Sequence, residues 1–102
     1  MEKYTIYMGL NDKDSKVQEI GTLEAYKIVN NLLINMTDGA TIFEADGIYK
    51  HEDGTVVMEK TLRIELLFIN FETVKNIVNT LKVLFNQESI VVQVQKIESM
   101  LL

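Results

Sequence analysis

Glu59, Thr61, Arg63 and Glu65 stand at alternate positions in the run Val56 to Phe68. Successive side chains of a strand point to opposite faces, so these four share one side if the run is extended. Two carboxylates flanking a guanidinium on a flat face suit a small polar ligand or a charged patch on a protein. Paired carboxylates can also do acid–base work where their surroundings separate their pKa values. Tyr7, on a separate β-rich run, joins them if the two strands are neighbours. The same residue types make ordinary cross-strand charge pairs on a solvated sheet. The candidate ligand- or partner-binding residues are therefore Tyr7, Glu59, Thr61, Arg63 and Glu65, and no residue is assigned a catalytic role.

Other chemistries find little support. The 102-residue sequence has no cysteine, which removes disulfides, thiolate metal sites and a cysteine nucleophile together. His51 is the one histidine and sits beside Glu52 and Asp53 in a turn, where it is expected to face solvent. A zinc site would need three or four ligands, and a single histidine leaves only carboxylates to complete it. Asp12 and Asp14 invite a cation, but the odd-position ligands, central glycine and closing glutamate of a calcium loop are missing. No phosphate-cradling glycine loop, nucleophile elbow or aromatic RNA-binding signature is present. Neither metal nor cofactor is expected.

The elements that must position the candidate residues follow from periodicity. Tyr4, Ile6 and Met8 alternate with Thr5 and Tyr7, a first strand, and Asn11 to Ser15 reads as a loop. Thr22 is placed to cap a helix running to about Met36, with Ala25, Ile28, Val29, Leu32, Leu33 and Met36 on its buried side. Asp38 to Phe68 reads as one long hairpin turning at Lys50 to Gly54, because Asp53-Gly54 is a strong turn signal.

In the second arm Val56, Met58, Leu62, Ile64, Leu66 and Phe68 share a side that only Lys60 interrupts. In the first arm Ile42 and Ile48 share a side with Glu44 and Asp46, and a bulge near Asp46-Gly47 would reconcile the halves. Asn70 is placed to cap a second helix from Phe71 to about Asn86, burying Val74, Ile77, Val78, Leu81, Leu84 and Phe85. Ile90 to Lys96 alternates again, as a fourth strand with an amide-lined outer side.

The order β-α-β-β-α-β, with one apolar face on each sheet strand, predicts a single α+β domain over 1–102. Right-handed crossovers make it a ferredoxin-like two-layer sandwich, a four-stranded antiparallel sheet of order 4-1-3-2 with both helices on one face. The open face carries Tyr7, Glu59, Thr61, Arg63, Glu65, Gln93 and Glu44, and folds of this shape often close such a face by pairing between subunits. A homo-oligomer is expected, with Val57, Val91, Leu67 and the Met100-Leu101-Leu102 tail at an interface.

The segments Tyr7-Met8-Gly9-Leu10, Asp38-Gly39-Ala40-Thr41-Ile42 through Glu44-Ala45-Asp46-Gly47-Ile48-Tyr49, Glu59-Lys60-Thr61-Leu62-Arg63-Ile64, and Phe85-Asn86-Gln87-Glu88-Ser89-Ile90-Val91 occur in that order. Through them the chain resembles a family of small uncharacterised bacterial proteins catalogued as a domain of unknown function. The resemblance implies the hairpin and the order of elements, brings no activity, and singles out Thr61, Arg63, Gln87, Glu88 and Ser89.

A formal charge of −5 opposes non-specific attraction to phosphate backbones and anionic lipid, so neither nucleic acid nor membrane is an expected partner. The opening Met-Glu-Lys-Tyr-Thr-Ile-Tyr has no basic and apolar leader pattern, and a cytoplasmic location is expected. The function expected is a cytoplasmic binding or regulatory module, oligomeric through its sheet. Two alternatives stand beside it: a small dimeric α/β-barrel-type enzyme acting on a small organic substrate, and a mobile-element protein that binds and blocks a host factor.

Overall fold

The computed structural model describes residues 1–50 and 52–102. His51, expected in the solvent-facing turn, lies outside the described residues. The chain runs β1 (Glu2–Gly9), α1 (Thr22–Met36), β2 (Thr41–Lys50), β3 (Val56–Leu66), α2 (Phe71–Leu84) and β4 (Val91–Lys96). All strand pairs are antiparallel, in the order β2-β3-β1-β4. This is the ferredoxin-like order 4-1-3-2 read from the other edge.

The period-two and period-3.6 patterns meet in one core. Tyr4, Ile6 and Met8 of β1 and Leu62, Ile64 and Leu66 of β3 are buried on the face that receives Ala25, Val29 and Leu33 of α1 and Val74, Ile77 and Leu81 of α2. Asn70 caps α2 as expected, its Oδ1 accepting from the Thr73 amide at 2.8 Å. Thr22 is instead the first residue of α1; Gly21 is the N-cap and offers no side-chain acceptor, while Thr22 Oγ1 accepts from Gln18 Nε2 at 3.0 Å. The helix α2 stops at Leu84, and Leu84 itself is exposed rather than part of the buried stripe.

Its end has a local cause. Asn86 sits in the left-handed region at φ 48°, the Gln87 amide donates to the Lys82 carbonyl at 2.9 Å and the Asn86 amide reaches Val83. That pattern is the Schellman termination, which asparagine tolerates better than most residues.

No bulge interrupts the hairpin. Every residue from Thr41 to Lys50 faces one partner in unbroken register from Glu65 to Val56. The Glu44, Asp46 and Lys60 positions that looked out of phase need no correction, because they meet each other: Lys60 Nζ lies 2.7 Å from Asp46 Oδ1 and 3.5 Å from Glu44 Oε1. Glu44 therefore belongs to the helix side of the sheet, not to the open face.

The hairpin also outruns the rest of the sheet. β1 ends at Gly9 opposite Thr61, the Leu10 amide still reaches the Lys60 carbonyl at 2.9 Å, and residues 56–59 have strand partners in β2 alone; the molecule measures 48 × 25 × 23 Å. On this arm Ile48, Val56 and Met58 face the helix side, beyond the reach of either helix. At the far edge, Val92 and Val94 of β4 also face that side without full cover. The Met100-Leu101-Leu102 tail is exposed, with Leu101 beside a groove lined by Ala40, Leu67 and Phe68. No helix among the described residues is long and apolar enough to cross a membrane.

Candidate functional site

The register divides the five candidate residues into two groups. At the sheet centre Tyr7 lies opposite Arg63, and Arg63 opposite Phe43 on the other side. The guanidinium sits 5.1 Å from the Phe43 ring centre and 6.0 Å from that of Tyr7, within reach of cation–π attraction from both. Arg63 pairs with Glu65, and Lys3 Nζ approaches the same oxygen, Glu65 Oε2, at 3.0 Å. The hydrogen bond from Lys3, and after it that from Arg63, holds the Glu65 carboxyl below its ordinary value of 4.5, against the raising effect of partial burial. Arg63 Nε is buried without a partner among the described residues. Lys3 and Phe43 were not among the residues chosen from the sequence; their alternation places them on the open face, but only the register reveals that they converge.

Glu59 lies farther along β3, opposite Gly47, at the start of the projecting arm. Between the two groups the floor is shallow, since Thr61 has only Gly9 on one flank and Ala45 on the other. A Cβ on Gly47 would stand 3.1 Å from Thr61 Oγ1, tighter than ordinary contact, which accounts for glycine at that position. Gly9 serves Glu59 in the same way, because a Cβ there would collide with the Glu59 carboxylate.

The carboxylate is fixed from a second direction. Glu59 Oε2 accepts from the Asn11 amide at 2.9 Å. Asn11 is in turn held by Gln87, whose Nε2 donates to the Asn11 carbonyl at 2.7 Å and to the Phe85 carbonyl at 3.1 Å. Asn86 Nδ2 reaches Asp12 Oδ1 at 2.9 Å and Asp14 Oδ2 at 2.8 Å, while the Lys13 amide donates to the Asn86 carbonyl at 3.0 Å.

The loop after β1 is thus clipped to the end of α2. Asp12 also accepts from the Ser15 and Asp14 amides, and these bonds, that from Ser15 first, lower its pKa from the ordinary 3.8. Of the two aspartates, Asp12 binds backbone amides of its own loop, and both accept from the Asn86 side chain.

These contacts form one wall of a cleft of about 350 Å³. The other wall is the hairpin, through Tyr49 and Val57; Lys13 and Lys16 stand on the loop side. Of the residues singled out by resemblance, Gln87, Glu88 and Ser89 come to this cleft, while Thr61 and Arg63 do not line it. Asn11 and Asn86 were missed as more than turn formers, although an asparagine directly after an apolar helical run is the usual sign of a left-handed C-terminal residue.

Comparison with solved structures agrees on the architecture. A phage SAM lyase in complex with S-methyl-5'-thioadenosine superposes with a TM-score of 0.65 at 22% identity, over 93% of this chain and 80% of that one. The periplasmic divalent cation tolerance protein CutA from Archaeoglobus fulgidus gives 0.61 at 17% identity, over 99% and 88%. CutA1 from Oryza sativa gives 0.60 at 15%, over 98% and 84%. At such identities the likeness shows the fold alone. No curated protein matches the sequence. The model of one family spans residues 3–100, and the chain belongs to that family, the proteins of unknown function DUF3574.

Proposed function

We propose that this domain is a non-catalytic binding module that works as an assembly of its own copies, which meet at the projecting hairpin and the open sheet edges. One observation carries the reading. Ile48, Val56 and Met58 are 69%, 59% and 70% exposed on the side of the sheet that the helices cover elsewhere. Apolar surface left in water forgoes about 25 cal/mol per Å² of burial, and a two-stranded ribbon is marginal by itself. A second copy offers a matching surface, since β4 leaves Val94 57% exposed and the tail leaves Leu101 89% exposed. β2 and β4 each present a free backbone edge, a ready template for strand pairing between copies.

In this reading the open face binds a small polar ligand or a charged patch of a protein partner through Tyr7, Thr61, Arg63 and Glu65, with Glu59 contributing from the neighbouring cleft. Light scattering of the purified chain is expected to give a multiple of the subunit mass. The double variant Ile48→Asp, Met58→Asp should shift it to the monomer with its circular dichroism unchanged. A wild-type chain that is monomeric at tens of micromolar refutes the assembly.

A second reading, a small enzyme acting on a small organic substrate, is favoured by the likeness to a phage SAM lyase that holds S-methyl-5'-thioadenosine. It predicts turnover of SAM to that product. Incubation at stoichiometric protein with mass-spectrometric detection decides it, and no product removes that reaction.

A further inference from the structure

The cleft beside Glu59 contains more order than a loop junction needs. Its carboxylate is half-buried, pressed on the bare Cα of Gly9, and fixed by the Asn11 amide at Oε2. Among the described residues the other oxygen, Oε1, has no hydrogen-bond donor. A carboxylate bonded through one oxygen keeps acceptor capacity on the other for a cationic donor, and charge-assisted bonds of this kind are the stronger sort.

The lining also carries cations, on a loop where the Asp12 carboxylate is already taken up by the Asp14 and Ser15 amides and Asn86 and where Lys16 Nζ donates to the Lys13 carbonyl. Lys13 and Lys16 lie on the loop that Asn86 clips in place, and Lys16 is held at φ 66° with its amide donating to the Asp12 carbonyl at 2.9 Å. Tyr49 also lines the cleft. The volume of about 350 Å³ falls at the small end of organic ligand sites, which run from about 300 to 1,000 Å³.

We infer that this cleft binds a small zwitterion of the free α-amino acid class, its ammonium on Glu59 Oε1 and its carboxylate toward Lys13 and Lys16, with the side chain against Tyr49. The inference rests on the reading of the domain as a binding module and gives that module a ligand class. Nothing in it requires assembly, because every residue named comes from one chain.

The test is a titration of the full isotope-labelled chain with each of the twenty standard L-amino acids, followed by amide and side-chain amide NMR. The matching decarboxylated amines and deaminated acids serve as controls. Saturable shifts centred on Asn11, Glu59 and Gln87 are expected for at least one amino acid, with each control weaker by about tenfold or more, the loss of one charge-assisted contact. Glu59→Gln, which keeps shape and removes charge, should weaken binding by a similar factor, and Lys16→Ala on the exposed loop should do so without touching the sheet.

No saturable shift at millimolar concentrations for any of the twenty overturns the inference, as does undiminished binding in both variants or equal binding of the amine controls. Solution mass measured on the same samples separates the two proposals. A monomer that binds refutes assembly and supports the cleft, and an oligomer that binds none of the twenty does the reverse.

Discussion

The Glu59 carboxylate occupies the space that any side chain at Gly9 would need. The relationship ties the end of β1 to the start of the hairpin's projecting arm, across the β1–β3 pair. Glycine leaves the room in which the acid can take the Asn11 amide bond. Gly9→Ala is expected to displace the Glu59 carboxylate and to cost about 1 kcal/mol, the loss of its bond from the Asn11 amide. Combining it with Glu59→Ala should return part of that loss, and urea unfolding of the four proteins of the cycle would show the coupling.

Acid should weaken the centre of the open face first. Glu65 has its pKa lowered by the hydrogen bond from Lys3 and next by that from Arg63. A depressed carboxyl contributes stability that is fully present above its unfolded pKa, about 4.3, and is lost as pH falls through the lower folded value. Thermal melts of the wild type should therefore decline below about pH 4.3, and Glu65→Gln should decline less over the same window.

Asn86 performs two separable tasks, a left-handed backbone turn and a side-chain clip on the 11–18 loop. Asn86→Gly keeps the first and removes the second. Hydrogen exchange at the Asp12, Asp14, Ser15 and Lys16 amides is expected to quicken by roughly fivefold to tenfold, the effect of losing about 1 kcal/mol of bonding. Exchange of the Ile6 and Ile64 amides should not move with it. Asn86→Ala, strained at φ 48°, should cost global stability as well.

The cap of α2 gives a simpler number. Asn70→Ala removes the acceptor for the Thr73 amide and is expected to cost about 1 kcal/mol, read from the shift in urea midpoint at unchanged slope.

The legible part of the molecule was its alternation. Tyr4, Ile6 and Met8 against Leu62, Ile64 and Leu66 fixes two strands and their buried face, and the helical stripes at Ala25 to Leu33 and Val74 to Leu81 supply the second layer. The reading failed in the hairpin. A bulge is expected at Asp46-Gly47 because Glu44 and Asp46 share a side with Ile42 and Ile48 around a strand glycine; the register is unbroken, and Glu44, Asp46 and Lys60 pair with one another on that side.

The candidate residues share a face as expected, but a face is not a site. Period two places Glu59 and Arg63 on one side without saying that four residues of extended chain, about 13 Å, keep them apart. The partners that fix Glu59, namely Gly9, Asn11 and Gln87, are distant in sequence. Nothing local announces them.

The central place of β1 in the sheet also bears on how the chain is made. Its neighbours, β3 and β4, both lie beyond α1 in the chain, and β4 follows α2. A nascent chain can zip β2 onto β3 as soon as the turn emerges, yet β1 must wait with its apolar row of Tyr4, Ile6 and Met8 until the hairpin arrives. It keeps one bare edge until Val91 to Lys96 has left the ribosome. Non-local pairing of this kind is slow and leaves strands open to the wrong partners meanwhile, so the sheet closes from the hairpin inward, with the β1–β4 edge last.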